Sequence, residues 1–312
     1  MRIILTGATG LIGSRFEELM FENHEIIPLS SKEVMIQNAD SVWSFFEDKN
    51  ADVVVHLAAK TDVDGCETDK LSDESRIQHA VGSQSRIWDM DWDDTVWYAS
   101  SEPDAANSAF ATNFLGTRNL YREAQERGMK FVYISTDFVF KGNDKYDEES
   151  VPNPINWYGM TKWYGEKLID TKKDLIVRLS FPYGYPSPVK PDFIQKLIGF
   201  LRDRDEVSLI EDQTITPTFI DDIVFGLDFL LKNDATGIYN LTGSSYEDPY
   251  HIGHMIKSRF GFNTKINATT REQIYKGKAE RPFQSIMRND KIKNLGFTPK
   301  TFEEGLDLIT KI

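Results

Sequence analysis

Tyr158 and Lys162 stand four residues apart in Trp157-Tyr158-Gly159-Met160-Thr161-Lys162, a spacing that puts both side chains on one face of a helix. A phenol and an ammonium so placed can handle a proton together. Free tyrosine titrates near about 10, and a neighbouring cation favours its anion. A third candidate lies upstream, where the apolar run Phe131-Val132-Tyr133-Ile134 ends in Ser135-Thr136-Asp137. If that run is a strand of a parallel sheet, a hydroxyl at its end faces the crevice where such sheets hold ligands.

The chain opens on a second pattern. Met1–Thr6 reads as a strand, Gly7-Ala8-Thr9-Gly10-Leu11-Ile12-Gly13 follows at once, and the sequence then turns helical through Met20. In this order the first glycine permits a tight turn and the second lets backbone approach a pyrophosphate. The third lets helix and strand pack closely. The helix N-terminus then faces the phosphates. Gly7, Thr9, Gly10, Leu11, Ile12 and Gly13 are therefore predicted to hold a dinucleotide.

Elements that could position these groups alternate along the chain. Apolar runs at Arg2–Leu5, Glu25–Leu29, Asp52–Leu57, Lys130–Ser135, Leu175–Leu179 and Gly237–Leu241 read as buried parallel strands. Helical patterns at Leu11–Met20, Ser41–Glu47, Ser108–Arg127 and Trp157–Asp170 fall between them. The expected fold is α/β, a doubly wound parallel sheet of the Rossmann type with a second, smaller lobe. Residues 1–180 form the dinucleotide-binding domain in this reading and 181–312 are mainly a substrate-binding lobe. The chain returns to the first domain at about 219–241. The stretch at about 68–103 carries Trp88, Trp92 and Trp97 among Asp89, Asp91, Asp93 and Asp94 without a clear period, and reads as an inserted acidic loop or hairpin. Its aspartates lack a calcium-loop spacing, so no metal site is expected. His56, His79, His251 and His254 show no spacing tied to a partner.

Composition narrows the partners. The 312 residues carry a formal charge of −13, which disfavours nucleic acid, because phosphate binding draws on Lys and Arg. The early apolar run Ile3-Ile4-Leu5 stops at Thr6, and no segment is long enough to span a bilayer. A single cysteine, Cys66, rules out an internal disulfide and fits a reducing compartment. A cytoplasmic chain is expected.

Glycine turn, strand-end hydroxyl and Tyr-x-x-x-Lys, in that order, resemble the extended short-chain dehydrogenase/reductase family. A closer sub-pattern comprises Val54-Val55-His56-Leu57-Ala58-Ala59-Lys60-Thr61-Asp62-Val63-Asp64 and Ser135-Thr136-Asp137-Phe138-Val139-Phe140. Tyr158–Lys162, Glu211-Asp212-Gln213 with Thr216-Pro217-Thr218, and Arg281-Pro282 complete it. Together these are similar to the dTDP-4-dehydrorhamnose reductase family. The resemblance implies NAD(P)H-dependent reduction of the C4 ketone of a nucleotide-linked 4-keto-6-deoxy sugar, in activated deoxysugar synthesis. Tyr158 would then be the general acid as charge builds on the carbonyl oxygen. Lys162 would favour the phenolate and grip the nicotinamide ribose, and Thr136 would bond the developing oxyanion. Leu57, Ala58 and Ala59 would line the cofactor. Thr61, Val63, Asp64, Thr136, Asp137, Phe138, Tyr158 and Arg281 would meet the substrate, with Arg281 on the diphosphate. A homodimer built on helices 108–127 and 157–170 is a further implication.

Departures from the family shape the expectation. Where an NAD-preferring enzyme usually has an acidic residue, this chain has Ser30, followed by Ser31 and Lys32, a loop able to accept a 2′-phosphate. NADPH is favoured, with NADH also admitted. Met35 stands where an aspartate near the adenine is common, and Phe181 where a tryptophan is common. Phe138 cannot transfer a proton, which argues for ketone reduction over the dehydration performed by related 4,6-dehydratases. A nucleotide-sugar epimerase is the alternative activity. A non-catalytic regulatory subunit, like the methionine adenosyltransferase beta subunit, is the alternative of another class.

Overall fold

The computed structural model describes residues 1–81, 105–184 and 191–310. From the N-terminus run β1 (Arg2–Thr6), α1 (Leu11–Met20), β2 (Glu25–Leu29), α2 (Ala39–Phe46), β3 (Val53–His56) and α3 (Val63–Val81). A π-helical turn, Ala111–Leu115, leads into α4 (Gly116–Glu126), then β4 (Lys130–Thr136), β5 (Asn143–Tyr146), α5 (Trp157–Glu166), β6 (Leu175–Leu179) and β7 (Pro182–Tyr183). Next come α6 (Phe193–Asp203), β8 (Glu206–Ile210), β9 (Thr218–Phe219), α7 (Ile220–Lys232), β10 (Gly237–Asn240) and α8 (Pro249–Phe260). The last elements are β11 (Lys265–Thr269), α9 (Arg271–Ile274), β12 (Gln284–Met287), α10 (Asp290–Leu295) and α11 (Phe302–Ile309).

All six strands read from the apolar runs join one parallel sheet in the order β10-β6-β4-β3-β1-β2. Chain order reverses between β1 and β3, which opens a crevice at their C-terminal ends. Alternate side chains leave opposite faces of each strand. Ile3, Leu5, Val55, Val132 and Val177 pack on one face with Phe16 of α1 and Ile223, Leu227 and Leu230 of α7. Ile4, Val54, Phe131 and Ile176 pack on the other with Val42 and Phe46 of α2 and Leu120 of α4. Burial on both faces is why these strands read as unbroken apolar runs. A separate cluster gathers Tyr183, Ile194, Leu197, Phe219, Ile252, Ile256, Phe302 and Leu306.

The sequence misled at residues 68–81, which are helix, the greater part of α3, and not an inserted loop. Its inward face mixes Cys66 and Ile77 with carboxylates. Asp69 accepts from the Ala109 N–H at 2.8 Å, and Asp73 accepts from the Phe110 N–H at 3.1 Å and Trp157 Nε1 at 2.7 Å. Acids turned inward erase the apolar period on which a helix reading depends. The three tryptophans and four aspartates of that stretch lie outside the described residues. One helix is also shorter than expected: α5 stops at Glu166, whereas the 108–127 pattern is helical from 109 to 126 with the widened turn inside it.

Arg178 on β6 is 1% exposed and donates Nε and Nη2 to Glu166 of α5, at 2.9 and 2.8 Å. This pair ties α5 to the sheet. Removing one partner of a buried pair leaves the other charge stranded, at a cost of about 3–5 kcal/mol. Arg178→Met should therefore lower the unfolding free energy by that amount in urea titration. Adding Glu166→Met should recover most of it, and a single-variant loss near zero would show that Glu166 finds another partner.

Candidate active site

A cavity of about 770 Å³ runs along the C-terminal ends of β1, β3, β4 and β6. At one end lies the glycine turn. Gly7 has φ +67°, and a Cβ there would stand 2.8 Å from the Ala58 nitrogen. A Cβ on Gly13 would lie 2.2 Å from the Gly7 oxygen. Backbone thus packs on backbone, and only hydrogen fits. Gly10 caps α1 without any side-chain bond, so the leading N–H groups of the helix are left to an anion. Gly7, Thr9, Gly10, Leu11, Ile12 and Gly13 all line the cavity. A strand-to-helix turn too tightly packed for any Cβ at Gly7 or Gly13, together with an uncapped helix start, fits a dinucleotide.

The next wall comes from the segment after β2. Ser31 lines it, whereas Ser30 Oγ is taken by the Lys32 N–H at 3.2 Å and Lys32 lies exposed outside the lining. Val34, Met35 and Ile36 form an apolar side of the same wall. The sequence reading picked out Met35 alone; the short run Val34-Met35-Ile36 was the available signal. Leu57, Ala58, Ala59, Thr61 and Val63 continue the lining beyond β3. Buried side chains hold this turn: the Ala58 N–H donates to Thr6 Oγ1 at 3.0 Å, and His56 bridges Thr6 and Thr117 at 2.7 and 3.0 Å. Burial holds the His56 pKa well below its usual value, so the imidazole is a neutral brace.

Thr136, Asp137, Phe138, Tyr158 and Lys162 meet at the far end of the cavity. Two glycines bring α5 against β4: a Cβ on Gly159 would sit 2.1 Å from the Phe138 oxygen, and one on Gly165 would sit 2.2 Å from the Tyr133 hydroxyl. The Tyr158 ring meets Phe138 edge-on at 5.5 Å, and its hydroxyl lies within hydrogen-bond reach of Thr136. Thr136 Oγ1 donates to Asp137 at 3.1 Å, and Asp137 also accepts from Ser180 at 3.1 Å and Ser285 at 2.8 Å. Burial pushes the Asp137 carboxyl up to about 6, against the pull of those hydroxyls. Burial also raises the Tyr158 phenol well above its ordinary value, which keeps it protonated.

Lys162 differs from expectation. Its side chain is buried, with Nζ 4.1 Å from the centre of the Tyr133 ring, and burial pulls its pKa down to about 7. The i,i+4 spacing places both groups in the cavity, yet desolvation outweighs their attraction, and Tyr158 is not drawn toward the phenolate. Asn113 in the π-helical turn supports the lysine's helix. It donates to Thr161 Oγ1 at 3.0 Å and exchanges bonds with the Lys60 backbone at 2.8 and 3.1 Å. No spacing in the sequence marked it.

Asp64 and Arg281 do not line the cavity. Arg281 Nη1 pairs with Asp64 Oδ1 at 2.5 Å and bonds the Ala279 oxygen at 2.5 Å, so its charge is already met. Lys196, which the sequence reading passed over, lines the cavity and forms no close salt bridge among the described residues, with Asp192 the acid near it. Phe181 and Phe193 extend an aromatic strip from Phe138, with ring centres 6.3 and 6.0 Å apart. Phe181 holds φ +40°, a strained conformation for a bulky residue that surrounding structure must enforce.

Comparison with known proteins gives this arrangement a lineage. The RmlD substrate binding domain model matches residues 1–84 and 95–312. The spore coat polysaccharide biosynthesis protein SpsK of Bacillus subtilis is 27% identical over 98% of this chain and 95% of its own. A dTDP-4-dehydrorhamnose reductase of Aggregatibacter actinomycetemcomitans is 25% identical over 98% of this chain and 97% of its own. The crystal structure of dTDP-4-dehydrorhamnose reductase from Bacillus anthracis, in complex with NADP, superposes with a TM-score of 0.81. It is 27% identical and covers 99% of this chain and 98% of that one. With glycine turn, Thr136, Tyr158 and Lys162 all inside the matched residues, the chain belongs to the RmlD substrate-binding family.

Proposed function

We propose that the chain reduces the C4 ketone of a nucleotide-linked 4-keto-6-deoxy sugar, using NADPH in preference to NADH, in activated deoxysugar synthesis. One observation carries the reading: a protonated Tyr158 beside the Thr136 hydroxyl, at the far end of a cavity that begins at a dinucleotide cradle. The cradle residues Gly7–Gly13 would hold the pyrophosphate of the cofactor, whose reduced nicotinamide would supply the hydride. The rest falls to the chain. Thr136, oriented by Asp137, meets the ketone oxygen, and Tyr158 gives its proton as negative charge builds there. Lys162 is buried and so is poised to take an oxygen-rich or anionic partner that restores its charge.

The walls suit the same substrate. Phe138 offers no proton-transfer group beside Tyr158, which supports reduction over dehydration. The strip Phe138-Phe181-Phe193 presents an apolar side to a deoxy carbon. Lys196 is the cation we assign to the diphosphate, in place of Arg281, which Asp64 neutralises. The cluster from Tyr183 to Leu306 forms the substrate-holding lobe in this reading. Ser31 in the cavity wall, with the exposed Lys32 next to it in the chain, supports the choice of NADPH.

Tyr158→Phe should lower turnover of an enzymatically generated dTDP-4-keto-6-deoxyhexose by about 10²–10⁴-fold, the usual worth of a positioned acid, with cofactor affinity unchanged. NADPH absorbance reads this directly. Undiminished turnover would remove Tyr158 from the mechanism, and bound cofactor with no turnover in the parent would favour a regulatory or epimerase role.

Lys32→Ala should weaken NADPH more than NADH in fluorescence titration. Equal losses would remove the loop from cofactor choice.

Lys162 also sets a pH dependence. Its pKa is lowered to about 7, so its charge is present below that value and lost above it. NADH keeps constant charge over this range, and its dissociation constant should rise as pH climbs from about 6 to 8. Lys162→Met should flatten the profile; an unchanged slope would assign it to another group.

A further inference from the structure

The connection from α9 to β12, residues 275–283, touches both sides of the catalytic end. It is fixed to its own neighbourhood by Tyr275, whose hydroxyl donates to Gln213 at 3.1 Å, and by Gln213, which donates to the Pro282 oxygen at 3.0 Å. Its middle reaches further. The Ala279 N–H and Arg281 Nη1 both bond Asp64 Oδ1, at 3.0 and 2.5 Å, immediately after the cavity-lining Val63. Beside this partly exposed pair is a neutral tie: Asn156 Nδ2 donates to the Glu280 oxygen at 2.8 Å. Asn156 is 3% exposed, and its Oδ1 accepts from the Gly159 N–H at 2.8 Å, capping α5. Tyr158 lies within the turn so capped.

A helix cap needs only an acceptor, and serine or aspartate serves as well as asparagine. The amide adds a donor that capping does not require, and that donor is spent on the 275–283 segment. The first turn of a helix is where backbone bonds are incomplete and ends fray. Tyr158 sits there, and a proton donor displaced by about 1 Å can lose on the order of 10²-fold in rate. We infer that Asn156 is a positioning residue, through which the 275–283 segment, clasped by Asp64 and Arg281, holds the first turn of α5 and the Tyr158 hydroxyl against Thr136. The kinetic consequence rests on the reductase reading above; the mechanical tie does not.

The test uses Asn156→Ser and Asn156→Asp in the full chain, since both keep the cap while aspartate has no donor and the serine hydroxyl ends one bond short of the position from which Nδ2 meets Glu280. The measurements are hydrogen exchange of peptides covering 157–166 and 275–283, thermal unfolding, and keto-sugar kinetics. Both variants should melt with the parent, exchange faster in 275–283 and at the start of α5, and lose roughly tenfold in kcat with KM and cofactor affinity unchanged. Agreement between the neutral and the charged variant separates the tie from a charge effect. Asp64→Asn, which leaves the cap untouched, should speed exchange in 275–283 as well, and reads the tie should either Asn156 variant fold poorly. Exchange like the parent's overturns the tie, and faster exchange with an unchanged kcat overturns the positioning role. If the parent itself reduces no keto-sugar, the reductase reading fails, and exchange at the start of α5 alone decides the inference.

Discussion

The chemistry of this chain depends on how closely α5 lies on the end of β4. Gly159 and Gly165 face the Phe138 oxygen and the Tyr133 hydroxyl at distances no side chain would permit. The buried Arg178–Glu166 pair joins the far end of the same helix to β6. From that approach follows the meeting of Tyr158 with Thr136, the stacking of Lys162 over Tyr133, and the burial of the lysine. A helix held one residue's width further out would leave a phenol and an ammonium in solvent, where their pKa values would be ordinary and their mutual geometry loose.

Dryness then sets the charge state. Burial raises Tyr158 and Asp137 and lowers Lys162 and His56, so each shift favours the neutral form. The direction fixes the linkage to stability. Lys162 titrates lower in the folded chain than in the unfolded one, so its burial costs stability fully below about 7 and the cost fades as pH rises toward 10.5. Asp137 titrates higher when folded, so its cost grows as pH rises from 3.8 to about 6 and stays constant beyond. Groups whose charged forms are made this costly answer strongly to a ligand that brings charge, which suits a site built to meet a developing oxyanion.

Around this centre the cavity divides its labour. The glycine cradle presents backbone donors, the Val34-Met35-Ile36 side offers a flat apolar surface, and the strip Phe138-Phe181-Phe193 encloses the reacting end. The left-handed Phe181 marks the place where the chain accepts strain to aim a ring. Asp64 and Arg281 spend their charges on each other. That leaves the cavity less basic than the motifs alone suggest, and it gives Lys196 its importance.

The sequence by itself determined the framework. Six apolar runs, a terminal glycine turn and a Tyr-x-x-x-Lys pair are local signals, because strand burial, tight turns and one-face helical spacing depend on near neighbours in the chain. Their assembly into one parallel sheet follows from the alternation, whereas the strand order that opens the crevice between β1 and β3 is set by the packed fold. Tertiary structure decided whatever depended on contacts distant in sequence. It turned Asp69 and Asp73 inward and made helix where a loop was expected. It placed Arg281 against Asp64, 217 positions away, and set Lys162 over Tyr133 instead of under the influence of Tyr158. It also joined Asn156 to Glu280, 124 positions on. Desolvation and pairing across such distances are properties of the packed molecule, and no window of sequence contains both partners.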